Sequence, residues 1–188
     1  LDEIIFAENF EGPALILDVE YLTAEEWADN FHLMKSGTRS ARVKKNIFMP
    51  GFTDKTGGLV LDENFCRCVS EKKFALEKAS PRLDERQRKL IADESVFKIL
   101  VFSYPRNFEF FVEALNAFAL SAKKTVHVFL AKGISAEPFE NSCRGRELNF
   151  EYSRLPSLEQ EMWDALLCSM DFNFIRGEDS FSRAALSR

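Results

Sequence analysis

Between residues 96 and 175 short apolar runs alternate with apolar stripes at helical spacing, and this alternation restricts the architecture more than any other feature. Residues 96–103 (VFKILVFS) form a β-rich run interrupted only by Lys98. Such a run, flanked by polar residues, predicts a buried strand. Phe108, Phe111, Val112, Leu115 and Phe118 then fall on one helical face. Residues 125–130 (TVHVFL) predict a second strand, and a loop containing Gly and Pro follows. Residues 148–152 predict a third strand, and Trp163, Leu166, Leu167 and Met170 repeat the i, i+3, i+4, i+7 pattern of a helix. Residues 172–175 predict a fourth strand, and Gly177-Glu178-Asp179-Ser180 opens a further helix. The order β-α-β-loop-β-α-β-α is that of an α/β, doubly wound sheet.

The first half is less regular. Residues 14–19 (ALILDV) predict a buried strand. Thr23 and Glu26 have the spacing of a capping box, so a short helix is expected to about Phe31. Residues 35–46 are polar and basic and predict a surface loop, with a short strand over 47–49. The stretch 50–58 (PGFTDKTGG) predicts a turn-rich loop. Residues 82–89 (RLDERQRK) mix both signs of charge, as a solvated helix does, and Pro81 suits a first turn. The region reads as a connector, dividing the chain into 1–92 and 93–188.

The chain of 188 residues is 46% hydrophobic and 29% charged, an ordinary globular mixture. Its 19 Phe build core rather than chemistry. No apolar run reaches the ~18 residues of a membrane span, so no membrane partner is expected. With 25 Lys and Arg against 30 Asp and Glu the net charge is −5, which disfavours nucleic acid as the main partner. The four Cys and two His (His32 and His127) lack the paired spacing of a zinc site. Reduced thiols and a cytoplasmic location are the expectation. His127, inside an apolar strand, reads as a hydrogen-bonded core histidine.

Doubly wound sheets bind ligands at the carboxyl ends of their strands. Two segments qualify: Phe102-Ser103-Tyr104-Pro105 and Arg176-Gly177-Glu178-Asp179-Ser180. A helix start offers free N–H groups to phosphate, Arg176 adds a bidentate donor, and Gly177 permits close backbone approach. The same acidic first turn also suits a helix that compensates its own dipole. Neither strand–helix turn carries the glycine fingerprint of a dehydrogenase. A different nucleotide-binding α/β enzyme and a non-catalytic interaction domain remain as alternatives.

The segment beginning at Asp171 (DFNFIRGEDSF) resembles the D-x-N-x-x-R-G-E-D-S-F signature of the EarP family. That family comprises bacterial protein-arginine rhamnosyltransferases acting on elongation factor P. Three further stretches are similar to family elements in the same order: EYLTAEEW from Glu20, PGFTDKTGGL from Pro50, and FSYP from Phe102. The resemblance runs from residue 14 to 183. It implies a GT-B fold of two Rossmann-like domains. Residues 1–92 would be the later part of the N-terminal acceptor-side domain plus linker, and residues 93–188 the first part of the donor-nucleotide-binding domain.

The resemblance also implies an inverting glycosyltransferase that moves L-rhamnose from dTDP-β-L-rhamnose to an arginine of elongation factor P, with no metal or other cofactor. Carried over by position, Phe102 and Tyr104 would line the thymine pocket, and Gln160 and Trp163 would border the nucleotide. Arg176 would hold the diphosphate, Ser180 would donate to the phosphates with Asp179 beside it, and Glu178 would be the essential acid. The sequence departs from the family at Ser182-Arg183-Ala184-Ala185, where V-R-A-Q is usual, and Trp163 replaces Tyr or Phe. The family's D-N-F-G-D motif, with its proposed general base, would fall upstream of Leu1, and a diphosphate-holding tyrosine downstream of Arg188. On that reading the chain is a central slice of the enzyme that does not turn over alone.

Overall fold

The computed structural model describes residues 12–19, 43–48, 50, 54 and 61–187. The chain divides into two compact units, 1–60 and 61–188. In the first, β1 (Ala14–Val19) pairs in parallel with β2 (Val43–Phe48), Ala14 opposite Val43 and Val19 opposite Phe48. β1 coincides with the predicted strand. β2 is longer than predicted, because it takes in Val43-Lys44-Lys45-Asn46, which polarity assigns to a loop. Pairing with β1 gives these backbone groups their partners whatever the side chains are. The helix expected over 23–31 and most of the 50–58 stretch lie outside the described residues.

The second unit opens with three helices of eight residues each: α1 (Glu63–Ser70), α2 (Lys72–Ala79) and α3 (Glu85–Ala92). The charged stretch 82–89 is only partly helical. Asp84 ends the turn after Pro81 and caps α3: its carboxylate accepts from Gln87 N at 2.7 Å, while Gln87 Oε1 accepts from Asp84 N at 3.3 Å. These helices are not an isolated connector. Ala75, Ala79, Leu83 and Ile91 are buried in one core with Leu100 of the sheet and Leu166 of a later helix.

The sheet has four parallel strands: β3 (Val96–Phe102), β4 (Thr125–Leu130), β5 (Glu151–Arg154) and β6 (Phe172–Ile175). Between them lie α4 (Glu109–Ser121), α5 (Ala136–Cys143) and α6 (Gln160–Leu167), and α7 (Glu178–Leu186) follows β6. Three strands fall where the sequence predicts them. The third begins at Glu151 rather than at 148. The expected loop after β4 contains α5, because Pro138 sits in its first turn, where a proline costs no intrahelical bond.

Strand order across the sheet is β5-β4-β3-β6. The chain therefore builds outward from β3 to β5, then returns to place β6 on the other side of β3. That reversal is the switch point at which doubly wound sheets bind ligands. Alternation along the strands fills both faces. Leu100 and Phe129 point to the layer of α1, α2, α3 and α6, whereas Ile99, Val101, Val126, Val128 and Leu130 meet α4 and α5. Phe108, at the start of α4, sits in that second core against Phe111, Phe139 and Phe174.

Asp171 locks the register of β6 on β3. Its carboxylate accepts from Lys98 N at 2.8 Å, and its own N–H donates to Lys98 O at 2.9 Å. The buried Lys98 ammonium lies 3.7 Å from the same carboxylate. The first residue of the signature is thus a sheet fastener. Asn173 donates to Leu167 O at 3.2 Å, tying β6 to the end of α6.

His127 is a core histidine, as predicted. It is 0% exposed, its Nε2 lies 2.9 Å from Ser153 Oγ, and its ring stacks obliquely on Phe129. Burial pushes its pKa down to about 4, against a weaker upward pull from Glu151. The unfolded ring, with its ordinary value of 6.5, takes up a proton first as pH falls. Stability from this site is therefore complete above pH 6.5 and declines as pH falls towards 4. The loss is expected to total about 3 kcal/mol across that window. Urea denaturation at pH 7 and pH 4.5 checks this, because His127→Gln is expected to lose markedly less stability over the same interval.

Candidate functional site

The carboxyl ends of β3, β4 and β5, together with the starts of α6 and α7, enclose a pocket of about 230 Å³. Phe102 forms one wall from the end of β3, and Trp163 of α6 meets it edge to face at a centroid distance of 5.2 Å. Leu155 and Leu158, from the loop after β5, complete an apolar and aromatic lining. Polar groups are few: Lys132, Ser157, Gln160 and Ser180. Flat aromatic walls with a small number of polar contacts suit a planar heterocycle.

Arg176 lies beside this pocket at the switch point. Its backbone N–H donates to Phe102 O at 2.8 Å, so β6 delivers it to the end of β3. The guanidinium carbon stands 4.1 Å from the Tyr104 ring centroid and 5.0 Å from that of Phe102. Cation–π contact of this kind holds the planar group in place without using its N–H donors. Nε of Arg176 is buried and has no hydrogen-bond partner among the described residues. A buried, unmatched donor at a helix start is a place for an anion.

The turn into α7 depends on Gly177. Its φ is +87°, in the left-handed region, and a Cβ there would touch nothing within 4 Å. Backbone conformation, not space, is what calls for glycine; an L side chain would cost ~1–2 kcal/mol. From that turn α7 begins, and Ser180 in its first turn lines the pocket. Glu178 and Asp179 are the first residues of α7, and their side chains lie outside what is described.

Phe102, Gln160, Trp163 and Ser180 therefore share one pocket, and Arg176 adjoins it through Phe102. Tyr104 is 52% exposed and meets the site through Arg176 rather than by lining the pocket. Burial pushes the thiols of Cys143 and Cys168 up to about 11 and about 12, so neither is a thiolate at neutral pH. The four cysteines are unpaired. Among the described residues no three metal-ligating side chains cluster, and no helix is long and apolar enough to cross a membrane.

Two residues of the site went unread in the sequence. Asp164, one turn beyond Gln160, accepts from Gln160 Nε2 at 2.9 Å and from Arg183 Nη1 at 2.7 Å. Both Asp164 and Arg183 are buried. Arg183 also faces Asp62, the cap of α1, at 3.6 Å, and lies over the Phe65 ring. The i, i+4 spacing of Gln160 and Asp164 is a signal for the first contact. No local signal pairs Asp164 with Arg183.

The family model described as Elongation-Factor P (EF-P) rhamnosyltransferase EarP matches residues 2–188. The chain belongs to the EarP family. It is 34% identical over 183 residues to a protein-arginine rhamnosyltransferase of Shewanella oneidensis, an alignment covering 90% of this chain and 45% of that protein. A Pseudomonas putida protein of the same name is 29% identical, over 92% of this chain and 46% of its own length. One from Neisseria meningitidis is 28% identical, over 92% and 45%. The chain thus spans about half the length of these curated EarP relatives.

Proposed function

We propose that this chain carries the donor-nucleotide site of an inverting glycosyltransferase. It would move L-rhamnose from dTDP-β-L-rhamnose to an arginine of translation elongation factor P. The observation that carries this reading is the buried Arg176 Nε, unmatched among the described residues, beside an aromatic pocket at the switch point of a parallel sheet, in a member of the EarP family. The unit 61–188 then serves as the donor half of a GT-B enzyme, and the unit before it belongs to the acceptor side.

The division of labour follows from the chemistry. Thymine packs on the aromatic wall that Phe102 and Trp163 form together, bordered by Gln160. The diphosphate lies against Arg176, Ser180 and the first turn of α7, with Asp179 beside them. As the glycosidic bond breaks, negative charge gathers on the departing diphosphate, and fixed donors at that point stabilise the transition state. An arginine guanidinium remains protonated in water and is a poor nucleophile. A carboxylate must therefore polarise it or take its proton; that base is assigned to the family's D-N-F-G-D motif, and Glu178, at the start of α7, is the essential acid near the donor. No step in this scheme requires a metal.

A thermal-shift comparison tests the reading. At a hundredfold excess over its Kd, thymidine diphosphate is expected to raise Tm by roughly 5 °C or more. NAD at the same concentration is expected to leave Tm unchanged. Protection by NAD alone would count decisively against a sugar-nucleotide site.

A further inference from the structure

Gln160 is one of the polar side chains lining the aromatic pocket, and its amide can present either N–H or C=O to a ligand. The buried ion pair behind it removes that ambiguity. A carboxylate can only accept hydrogen bonds, so the amide nitrogen of Gln160 must be the atom facing Asp164. Asp164 is in turn held by the Arg183 guanidinium, which donates to it at 2.7 Å. Arg183 is fixed on its other side against Asp62 and Phe65. The chain of contacts runs from α7 through α6 and occupies the amide nitrogen of Gln160, a residue that lines the pocket.

We propose that Asp164 and Arg183 are positioning residues that set the hydrogen-bond polarity of Gln160, so that the pocket selects a base carrying a ring N–H over one presenting a bare ring nitrogen. A carbonyl oxygen facing a ring N–H gains a hydrogen bond. The same oxygen facing an unprotonated ring nitrogen meets a second lone pair and stays unsatisfied. Thymine and uracil have the first edge, and cytosine the second. The inference rests on the sugar-nucleotide reading of the site and adds the source of its base preference.

Calorimetric titration with thymidine diphosphate and deoxycytidine diphosphate tests it. The unaltered chain is expected to prefer the thymidine compound by about tenfold or more, as sites built around a required hydrogen bond do. Asp164→Asn offers Gln160 either a donor or an acceptor, so the amide can turn, and the preference is expected to fall to within about threefold. Arg183→Lys keeps the cation and is expected to retain the preference, whereas Arg183→Leu unpins the Asp164 carboxylate from Gln160 and is expected to weaken it. Gln160→Met, at an exposed helix start, is expected to lose the preference with a melting temperature lowered by only a few degrees; this covers the case in which the buried variants do not fold.

A purely structural role would weaken both nucleotides together and leave their ratio intact. An unchanged ratio in Gln160→Met, or in a folded Asp164→Asn, overturns the positioning role alone. Failure of the unaltered chain to bind either nucleotide overturns the sugar-nucleotide reading with it.

Discussion

Arg176→Ala is expected to weaken thymidine diphosphate binding by roughly 10- to 100-fold, the equivalent of the ~1.5–3 kcal/mol of hydrogen bonding to a charged group. Binding of thymidine itself, which has no phosphate, is expected to change by no more than about twofold. The contrast follows from where the guanidinium sits. Its carbon lies 5.0 Å from the Phe102 ring centroid and 4.1 Å from that of Tyr104, and its buried Nε has no partner among the described residues. That donor is therefore suited to an anion, while the aromatic pocket is built chiefly by other residues. Arg176→Lys is expected to recover less than half of the lost binding energy, because an ammonium neither stacks on two rings nor donates in a fixed fork. Titrations with the nucleoside and its diphosphate provide the measurement. Equal losses for both would mean that Arg176 shapes the base pocket and does not hold phosphate.

Phe108→Ala is expected to destabilise the second unit by about 3–5 kcal/mol, the usual range for emptying a phenylalanine site in a core. Phe108 is fully buried, with rings at 5.6 Å (Phe139) and 6.3 Å (Phe111 and Phe174). Phe174 belongs to β6, the strand that delivers Arg176. The cavity would therefore loosen the strand as well as the core, and nucleotide affinity is expected to fall along with stability. Phe108→Leu fills most of the space and is expected to lose less than half as much. Denaturation midpoints of the two variants decide the matter; a loss under about 1 kcal/mol for alanine would show that the site collapses around the gap.

The elements that the sequence reveals are those whose signal is local. β3 and β4 are buried on both faces and read as continuous apolar runs; β6 and the start of α7 are marked by the signature itself. α5 is hidden because a proline and polar residues suggest a loop, yet that proline lies in a first turn where it does no harm. Lys44, Lys45 and Asn46 are in a strand because β1 pairs with them, and pairing partners distant in sequence leave no local trace.

The candidate site divides in the same way. Phe102, Gln160, Trp163, Arg176 and Ser180 were legible as motif residues, and their assembly at one sheet edge follows from the strand order. Tyr104 was legible too, but only the folded structure gives its contact as Arg176 rather than the pocket. Asp171 and Asn173, from the same signature, proved to be fasteners of β6.

The sequence by itself determined the α/β class, the alternation that makes the sheet parallel, and the family. These rest on short-range periodicity and ordered motifs, which survive without coordinates. Tertiary structure alone decided that helices α1–α3 pack with the second unit, that β6 returns beside β3 to create the switch point, and that Arg183 meets Asp164. Each of these is a contact between residues far apart in the chain. Such contacts are selected by which faces can be buried together once the whole sheet has formed, a choice that no local stretch of sequence encodes.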